Sequence, residues 1–128
     1  MSFYCRVAAI IVQDGKFLLV GHDGGPAEYW TPGGKVEEGE TEIEAIIREV
    51  REETGLVVTK AEFFNEYKTP SPFSKKVTDI TRAYLVKTTG KVKPGMEITR
   101  TKWATKKEIL KNKNTDKATE LITKEVEK

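Results

Sequence analysis

The chain has 128 residues, of which 38% are hydrophobic and 33% charged, a composition that predicts one globular domain spanning residues 1–128. Its formal net charge of +2 is too small to favour a nucleic-acid partner. The single cysteine, Cys5, excludes an intramolecular disulfide, favours a reducing cytoplasm and is expected to be buried in a strand. No apolar run approaches the ~20 residues of a membrane-spanning helix, so we expect no membrane partner.

The beginning of the chain predicts two strands joined by a tight turn. Residues 3–12 are rich in aromatic and β-branched side chains, which indicates a buried strand. Asp14-Gly15 is a hairpin turn signal, and residues 16–20 form the returning strand. The loop that follows contains His22, the only histidine. We interpret His22 as an exposed loop residue, with a contact to phosphate or base as the alternative.

A glycine-rich segment leads from this loop into a charged helix. Pro32-Gly33-Gly34 and Gly39 carry little side chain, so the backbone there can approach a phosphate or lend a carbonyl to a metal. The helix is predicted to begin near Thr41, because Thr41 and Glu44 have the spacing of a capping box. It should end at Thr54-Gly55, since glycine takes the left-handed conformation of a C-terminal cap without steric cost.

The predicted helix has an apolar stripe beside an acidic arc. The stripe expected to face the core consists of Ile43, Ile46, Ile47 and Val50. Glu49, Glu52 and Glu53 form the arc, where like charges repel one another by roughly 0.2–0.5 kcal/mol per pair. They also lie near the negative end of the helix dipole. A divalent cation would remove both penalties, and Mg²⁺ or Mn²⁺ suits carboxylate ligands.

Two further points concern this helix. Ala45, one turn before Glu49, is small and is expected to leave room for a ligand beside the carboxylates. The alternative to a metal site is a solvated acidic face, in which Arg48 forms ordinary i, i+4 ion pairs with Glu44 and Glu52.

The second half of the chain predicts three more strands and two helical segments. Residues 56–68 and 76–88 have strand patterns, and a further strand contains Trp103. The proline-bounded loop 70–74 carries Phe73, which could stack on a base or anchor the loop on the core. Residues 106–110 form a helical turn, and residues 115–126 form a terminal helix with Asp116 near its N-cap.

The segment from Gly34 to Leu56 carries a set of glycine, glutamate and arginine residues at defined spacings. Gly34 is followed after five residues by Glu40 and after seven more by Arg48-Glu49, and the segment ends in Glu52-Glu53-Thr54-Gly55-Leu56. This pattern resembles the Nudix box, G-x5-E-x7-R-E-U-x-E-E-x-G-U with U a bulky aliphatic residue, without a departure. The resemblance implies an α/β fold, a Nudix-type α/β/α sandwich with a mixed sheet. It also implies a metal-dependent hydrolase of a nucleoside diphosphate linked to another moiety.

The same resemblance implies roles for individual residues. Glu49, Glu52 and Glu53 would bind Mg²⁺ or Mn²⁺ together with the carbonyl of Gly33. Arg48 would orient a catalytic glutamate, and Glu40 would support the geometry of the loop and helix. The candidate substrate-binding residues are Gly34, Phe73 and Trp30, with core packing as the favoured alternative for Trp30.

Three positions depart from the family pattern. Gly21-His22 stands where relatives often carry an arginine. Thr31 occupies a position in the lead-in to the box that usually holds a bulky apolar residue. Arg100 stands where relatives often carry a glutamate three residues before a tryptophan, which leaves Glu97 as the nearby candidate for an additional metal ligand.

The favoured function is hydrolysis of a nucleoside triphosphate to the monophosphate and pyrophosphate, in which water attacks phosphorus and a glutamate removes its proton. The alternatives are hydrolysis of ADP-ribose, a nucleotide sugar, a dinucleoside polyphosphate or an RNA end, and a Nudix-fold module that binds a nucleotide without cleaving it. The expected partner is a small-molecule nucleotide, and a homodimer is compatible with the sequence.

Overall fold

The structure is a computed structural model that describes residues 2–22, 28–71, 73–93, 95, 98 and 100–126. In chain order its strands and helices are β1 (Ser2–Ile10), β2 (Val12–Gln13), β3 (Lys16–Gly21), β4 (Gly33–Gly34), α1 (Glu42–Thr54), β5 (Val57–Pro70), β6 (Val77–Thr89), β7 (Arg100–Thr105), α2 (Lys106–Lys111) and α3 (Lys117–Glu125). No helix within these described residues has the length and hydropathy needed to cross a bilayer.

The strands form two sheets. The larger sheet has the order β4-β1-β6-β5, in which β1 and β6 run parallel and the other pairs are antiparallel. The smaller sheet has the order β2-β3-β7 and is antiparallel. The turn between β2 and β3 is the predicted hairpin, since Asp14 and Gly15 take positive φ angles of 52° and 74°. The predicted strands after α1 are confirmed as β5 and β6, and β5 carries two register shifts.

Helices cover the sheets on both sides. Alternate residues of β1 point to opposite layers, so Val7 and Ala9 pack with α1 while Ala8 and Ile10 pack with α2 and α3. This arrangement is an α/β/α sandwich with a mixed sheet, and it confirms the predicted fold class.

The start of β1 is less buried than its composition suggests. Phe3, Tyr4 and Cys5 are exposed, and burial of the strand's apolar side chains begins at Val7. The prediction that Cys5 is buried was therefore wrong. The reason is positional, because Tyr4 borders an open cavity while the packed layers begin farther along the strand.

The buried side of α1 also differs from the predicted stripe. Ile46 and Val50 are fully buried, but Ile43 and Ile47 are 44% and 43% exposed. Ala45 is buried in the core, so the prediction that it leaves room for a ligand was wrong. The helix is rotated so that its small alanine packs against the sheet. This rotation turns the side that carries Glu49 and Glu53 inward, where both residues are partly buried.

Candidate active site

Local capping sets the limits of α1 and thereby the position of its glutamates. Thr41 Oγ1 accepts a hydrogen bond from the N–H of Glu44 at 3.1 Å, and the Glu44 side chain accepts from the N–H of Thr41 at 2.8 Å. At the other end Gly55 takes the left-handed conformation with φ 75°. Both predicted helix limits are confirmed. Glu49, Glu52 and Glu53 consequently lie in the last two turns of the helix.

Two glycines bring the backbone of β4 against these glutamates. A Cβ on Gly34 would overlap the Glu49 carboxylate, and a Cβ on Gly33 would overlap the carbonyl of Val7 on the paired strand. The N–H of Gly33 donates to Glu53 Oε1 at 3.0 Å. The close approach therefore requires glycine at both positions, and it places backbone polar groups beside the carboxylates.

Arg48 connects the loop to the helix. Its Nε and Nη2 donate to the two carboxylate oxygens of Glu40 at 2.6 and 3.0 Å, and Nη2 also donates to the Lys35 carbonyl. Its Nη1 donates to Glu49 at 3.1 Å and to Glu52 at 3.3 Å. The hydrogen bond from Arg48 lowers the pKa of the Glu40 carboxyl. Arg48 therefore holds the loop and two helix glutamates in one arrangement.

Burial disfavours negative charge on the two inner glutamates. It raises the pKa of Glu49, whose side chain is 15% exposed, against the opposing effect of Arg48. Burial also raises the pKa of Glu53 to about 8, against the hydrogen bond from Gly33 and with a further contribution from the charge of Glu49. These two carboxyls therefore lack sufficient positive charge from the protein itself.

The inner carboxylates open onto a cavity of about 370 Å³. The predicted site residues that line it are Trp30, Gly33, Gly34, Glu49, Glu52, Glu53 and Phe73. Phe73 is 81% exposed, so it lies at the rim and does not anchor its loop on the core. Arg48 and Glu40 lie outside the lining and act on it through Glu49 and Glu52. The predicted ligand Glu97 lies outside the described residues.

His22 lies in the wall of this cavity, contrary to its interpretation as an exposed loop residue. Its ring meets the Trp30 ring edge to face, with 5.1 Å between the ring centroids. Trp30 itself forms an isolated bridge with Val20 at the end of β3. The hairpin strand thus places both rings beside the cavity, an arrangement that loop composition does not predict.

Sequence reasoning missed five other residues of the lining. Tyr4 and Arg6 come from one face of β1, Asp79 from β6, Ile98 from the segment before β7 and Asp116 from the N-cap of α3. Parallel pairing places Tyr4 directly opposite Asp79. The alternation of polar and apolar residues at positions 4–7 is the one local signal that could have indicated Tyr4 and Arg6. The meeting of β1 with β6 and α3 is long-range and has no local signal.

The lead-in to the box also contacts α3. Thr31 is buried, and its N–H donates to Thr119 Oγ1 at 3.1 Å. Asp116 accepts from the N–H and hydroxyl of the same Thr119. A small polar residue at position 31 therefore joins the lead-in to the helix cap that borders the cavity.

The donor set fits a hard divalent cation. Glu49, Glu52 and Glu53 present carboxylate oxygens to one cavity, and a cation would favour the charged form of the two carboxyls whose pKa values burial raises. Within the described residues, no three acidic or histidine side chains already converge on one point. Glu49 is turned toward Arg48 and Glu53 toward the N–H of Gly33. Binding a cation would therefore require these side chains to rotate.

Comparison with known proteins gives a family match and several relatives. The family model described as NUDIX domain matches residues 4–124. An ADP-ribose pyrophosphatase of Methanocaldococcus jannaschii is 41% identical over 66 residues, which cover 50% of this chain and 39% of the relative. A CTP pyrophosphohydrolase of Escherichia coli K12 is 45% identical over 60 residues, which cover 44% of each protein. The match thus spans less than half the length of either relative.

A solved structure resembles the whole fold. The MutT NUDIX hydrolase from Burkholderia pseudomallei superposes with a TM-score of 0.86, covering 99% of this chain and 100% of the other. The two sequences are 22% identical, so the likeness concerns the fold alone.

Proposed function

Since the chain belongs to the Nudix family, as the match over residues 4–124 shows, we propose that it is a metal-dependent pyrophosphohydrolase whose substrate is a nucleoside triphosphate. The observation that carries this proposal is the cavity that joins three box glutamates to aromatic side chains. Its carboxylates can hold a cation that binds phosphates. Its lining also includes the rings of Tyr4, Trp30 and Phe73, on which a base can stack.

Glu49, Glu52 and Glu53, with the carbonyl of Gly33, would hold Mg²⁺ or Mn²⁺. A divalent cation bound there would neutralise phosphate charge and make water a stronger nucleophile. Glu97 is a further candidate ligand by its position in the sequence. Arg48 is proposed as a positioning residue, because its guanidinium contacts both Glu49 and Glu52. Glu40 fixes Arg48 through two hydrogen bonds and so supports the site without lining it.

The proposed reaction is a displacement at phosphorus. A water oxygen forms a bond to phosphorus as the phosphoanhydride P–O bond breaks, and a glutamate of the cavity accepts the proton of the water. The products are the nucleoside monophosphate and pyrophosphate. The backbone of Gly33 and Gly34 forms part of the cavity wall, and side chains at these positions would overlap Val7 and Glu49.

ADP-ribose is the second candidate substrate. The relative from M. jannaschii is named ADP-ribose pyrophosphatase, and its match to this chain is 41% identical. A nucleoside triphosphate is favoured because Gly21-His22 stands where an arginine could clamp a further phosphate of a larger substrate. A module that binds a nucleotide without cleaving it is disfavoured, because all the glutamates of the box are present.

A substrate screen tests the proposal. Purified protein with Mg²⁺ is given nucleoside triphosphates, ADP-ribose, nucleotide sugars and dinucleoside polyphosphates, and the products are identified. We expect the highest kcat/KM for a nucleoside triphosphate, because this ratio reports differential stabilisation of the transition state. A kcat/KM for ADP-ribose or a dinucleoside polyphosphate at least about tenfold above that for every triphosphate would overturn the choice of substrate.

A further inference from the structure

Arg6 differs from two other arginines of this fold in how its donors are used. Arg48 donates to three glutamate side chains, and Arg82 donates to Glu42 and Glu66. Arg6 donates from Nη2 to the carbonyl of Thr31 at 3.3 Å. None of the described carboxylates lies within the 4.0 Å ion-pair distance of its guanidinium. Since a guanidinium has five N–H donors, most of those of Arg6 remain available to a ligand.

The position of Arg6 directs those donors to the cavity. Arg6 is partly buried on β1, and it is the only lysine or arginine among the described residues that line the cavity. Its positive charge acts on Glu49 and Glu53 of α1 and on Asp79 of β6, all of which line the cavity. The guanidinium is therefore within electrostatic range both of the candidate metal ligands and of Asp79, which pairs with Tyr4.

We propose that Arg6 binds the phosphate group that links the nucleoside to the rest of the substrate, the phosphate retained in the monophosphate product. This inference rests on the proposed function. Phosphates held by a cation at the glutamates need no second counter-charge there, whereas the phosphate nearest the nucleoside extends toward Arg6. A guanidinium is suited to this contact, because its planar fork matches two phosphate oxygens.

A phosphate contact at Arg6 would also set the orientation of the nucleotide in the cavity. A substrate bound with its phosphates at the glutamates and Arg6 has its base among Tyr4, Trp30 and Phe73. The reverse orientation would place phosphate oxygens beside Asp79, whose pKa is raised by burial and by the charge of Asp116. Like charges repel there, so Arg6 and Asp79 together define one orientation of the nucleotide.

The test measures phosphate recognition without catalysis. Chelator-treated protein labelled with ¹⁵N is titrated with AMP, CMP, GMP and UMP and with the four corresponding nucleosides. The chain has two tryptophans, and the indole N–H of Trp30 in the cavity reports binding while that of Trp103 serves as an internal reference. We expect at least one monophosphate to bind about tenfold more tightly than its nucleoside. Arg6→Gln should abolish this preference, and Arg6→Lys should retain part of it.

Arg82→Gln is the matched control, because it removes an arginine that pairs with carboxylates outside the cavity. It should keep the preference for the monophosphate. Retention of that preference by Arg6→Gln, its equal loss in Arg82→Gln, or its absence from the wild-type protein would each overturn the inference. The dispersion of the ¹⁵N spectrum shows that each variant is folded.

Kinetics separate this inference from the proposed function. Removing a contact that is made equally in the ground state and the transition state raises KM and leaves kcat unchanged. We therefore expect Arg6→Gln to raise KM about tenfold with little change in kcat. Hydrolysis by the wild-type protein with an unchanged KM in Arg6→Gln would refute the role of Arg6 and leave the proposed function standing.

Discussion

Two clusters of carboxylates lie along α1, one paired with Arg82 of β6 and the other with Arg48 of the helix itself, and they differ in charge balance. Near the N-terminus Arg82 pairs with Glu42 and Glu66 at 2.8 and 2.7 Å, and Tyr84 also donates to Glu42. Partial burial raises the pKa of Glu42, but the hydrogen bonds from Arg82 and Tyr84 outweigh it and lower the pKa overall. The fold therefore stabilises the charged form of this carboxylate.

Near the C-terminus the balance is reversed. Arg48 forms ion pairs with Glu40, Glu49 and Glu52. Glu53 instead accepts a hydrogen bond from the N–H of Gly33. The pKa of Glu53 is raised to about 8, chiefly by burial. The first cluster thus stabilises its charged carboxylate, whereas the second has too little positive charge for the partly buried Glu53. Such an imbalance at a cavity is typical of a functional site, because only a ligand can complete it.

The largest expected effect is on catalysis. Glu53→Gln or Glu52→Gln should lower kcat/KM by about a hundredfold or more, equivalent to ~2.7 kcal/mol, because each removes a proposed ligand of the cation. Glu42→Gln, the matched change in the other cluster, should leave kcat/KM within about threefold of wild type. Near-wild-type turnover by either site variant at saturating Mg²⁺ would remove that glutamate from the proposed machinery.

The next effect is on thermal stability. Mg²⁺ should raise the melting temperature, since a ligand that binds only the folded state stabilises it by about 2.7 kcal/mol at a hundred times its Kd. Glu42→Gln should show the same rise and Glu53→Gln a much smaller one. Differential scanning fluorimetry across a Mg²⁺ series, repeated with a nucleoside monophosphate present, measures the shift. Equal shifts in the two variants would place the bound cation elsewhere.

The third effect is on the pH dependence of stability without metal. The folded-state pKa of Glu53 is raised from its ordinary value of 4.5 to about 8. The protonated Glu53 carboxyl therefore contributes to the free energy of unfolding. This contribution is fully present below about pH 4.5 and is lost as the pH rises toward 8, by at most about 1.4 kcal/mol per unit of pKa difference. Urea unfolding of the chelated protein at pH 6 and pH 9 should show a loss of stability at pH 9. Glu53→Gln should reduce that loss, and an unchanged loss would assign it to another group.

The smallest expected effect is on the free energy of unfolding, which substitutions in the two clusters should change in opposite directions. Glu42→Gln should lower the free energy of unfolding at pH 7 by about 1 kcal/mol or less, since the pair is one-third exposed and screened by solvent. Because the pKa of Glu42 is lowered, its contribution disappears as the pH falls below 4.5 through the folded-state value. Glu53→Gln in the chelated protein should instead raise stability at pH 7. Destabilisation by both variants would contradict the proposed charge imbalance.

The sequence predicts the helix and its glutamates well because their determinants are local. Thr41, Glu44 and Gly55 fix the helix limits through hydrogen bonds and backbone conformation within a few residues. The rotation of the helix about its axis is not local, because Ala45 packs against a sheet built from distant strands. Periodicity alone therefore assigned Ile43 and Ile47 to the core, although they are exposed.

The rest of the cavity depends on long-range pairing. Arg6 and Asp79 come together through the parallel register of β1 and β6, and Asp116 arrives with a helix more than a hundred residues after β1. No spacing rule connects these positions in a single sequence. His22 was likewise predicted to be exposed, because composition does not indicate which loop residues fold toward Trp30. These parts of the site became visible only in the folded structure.

The central claim is that Glu49, Glu52 and Glu53 bind a divalent cation and that the protein then hydrolyses a nucleoside triphosphate. The most direct measurement is the release of pyrophosphate and orthophosphate from a nucleoside triphosphate by the wild-type protein, with Mg²⁺ and with excess chelator. We predict that pyrophosphate and the monophosphate form in equal amounts with Mg²⁺, and that neither forms in chelator. Pyrophosphate formation at the same rate in chelator, or no cleavage of any triphosphate with Mg²⁺ or Mn²⁺, would contradict the account.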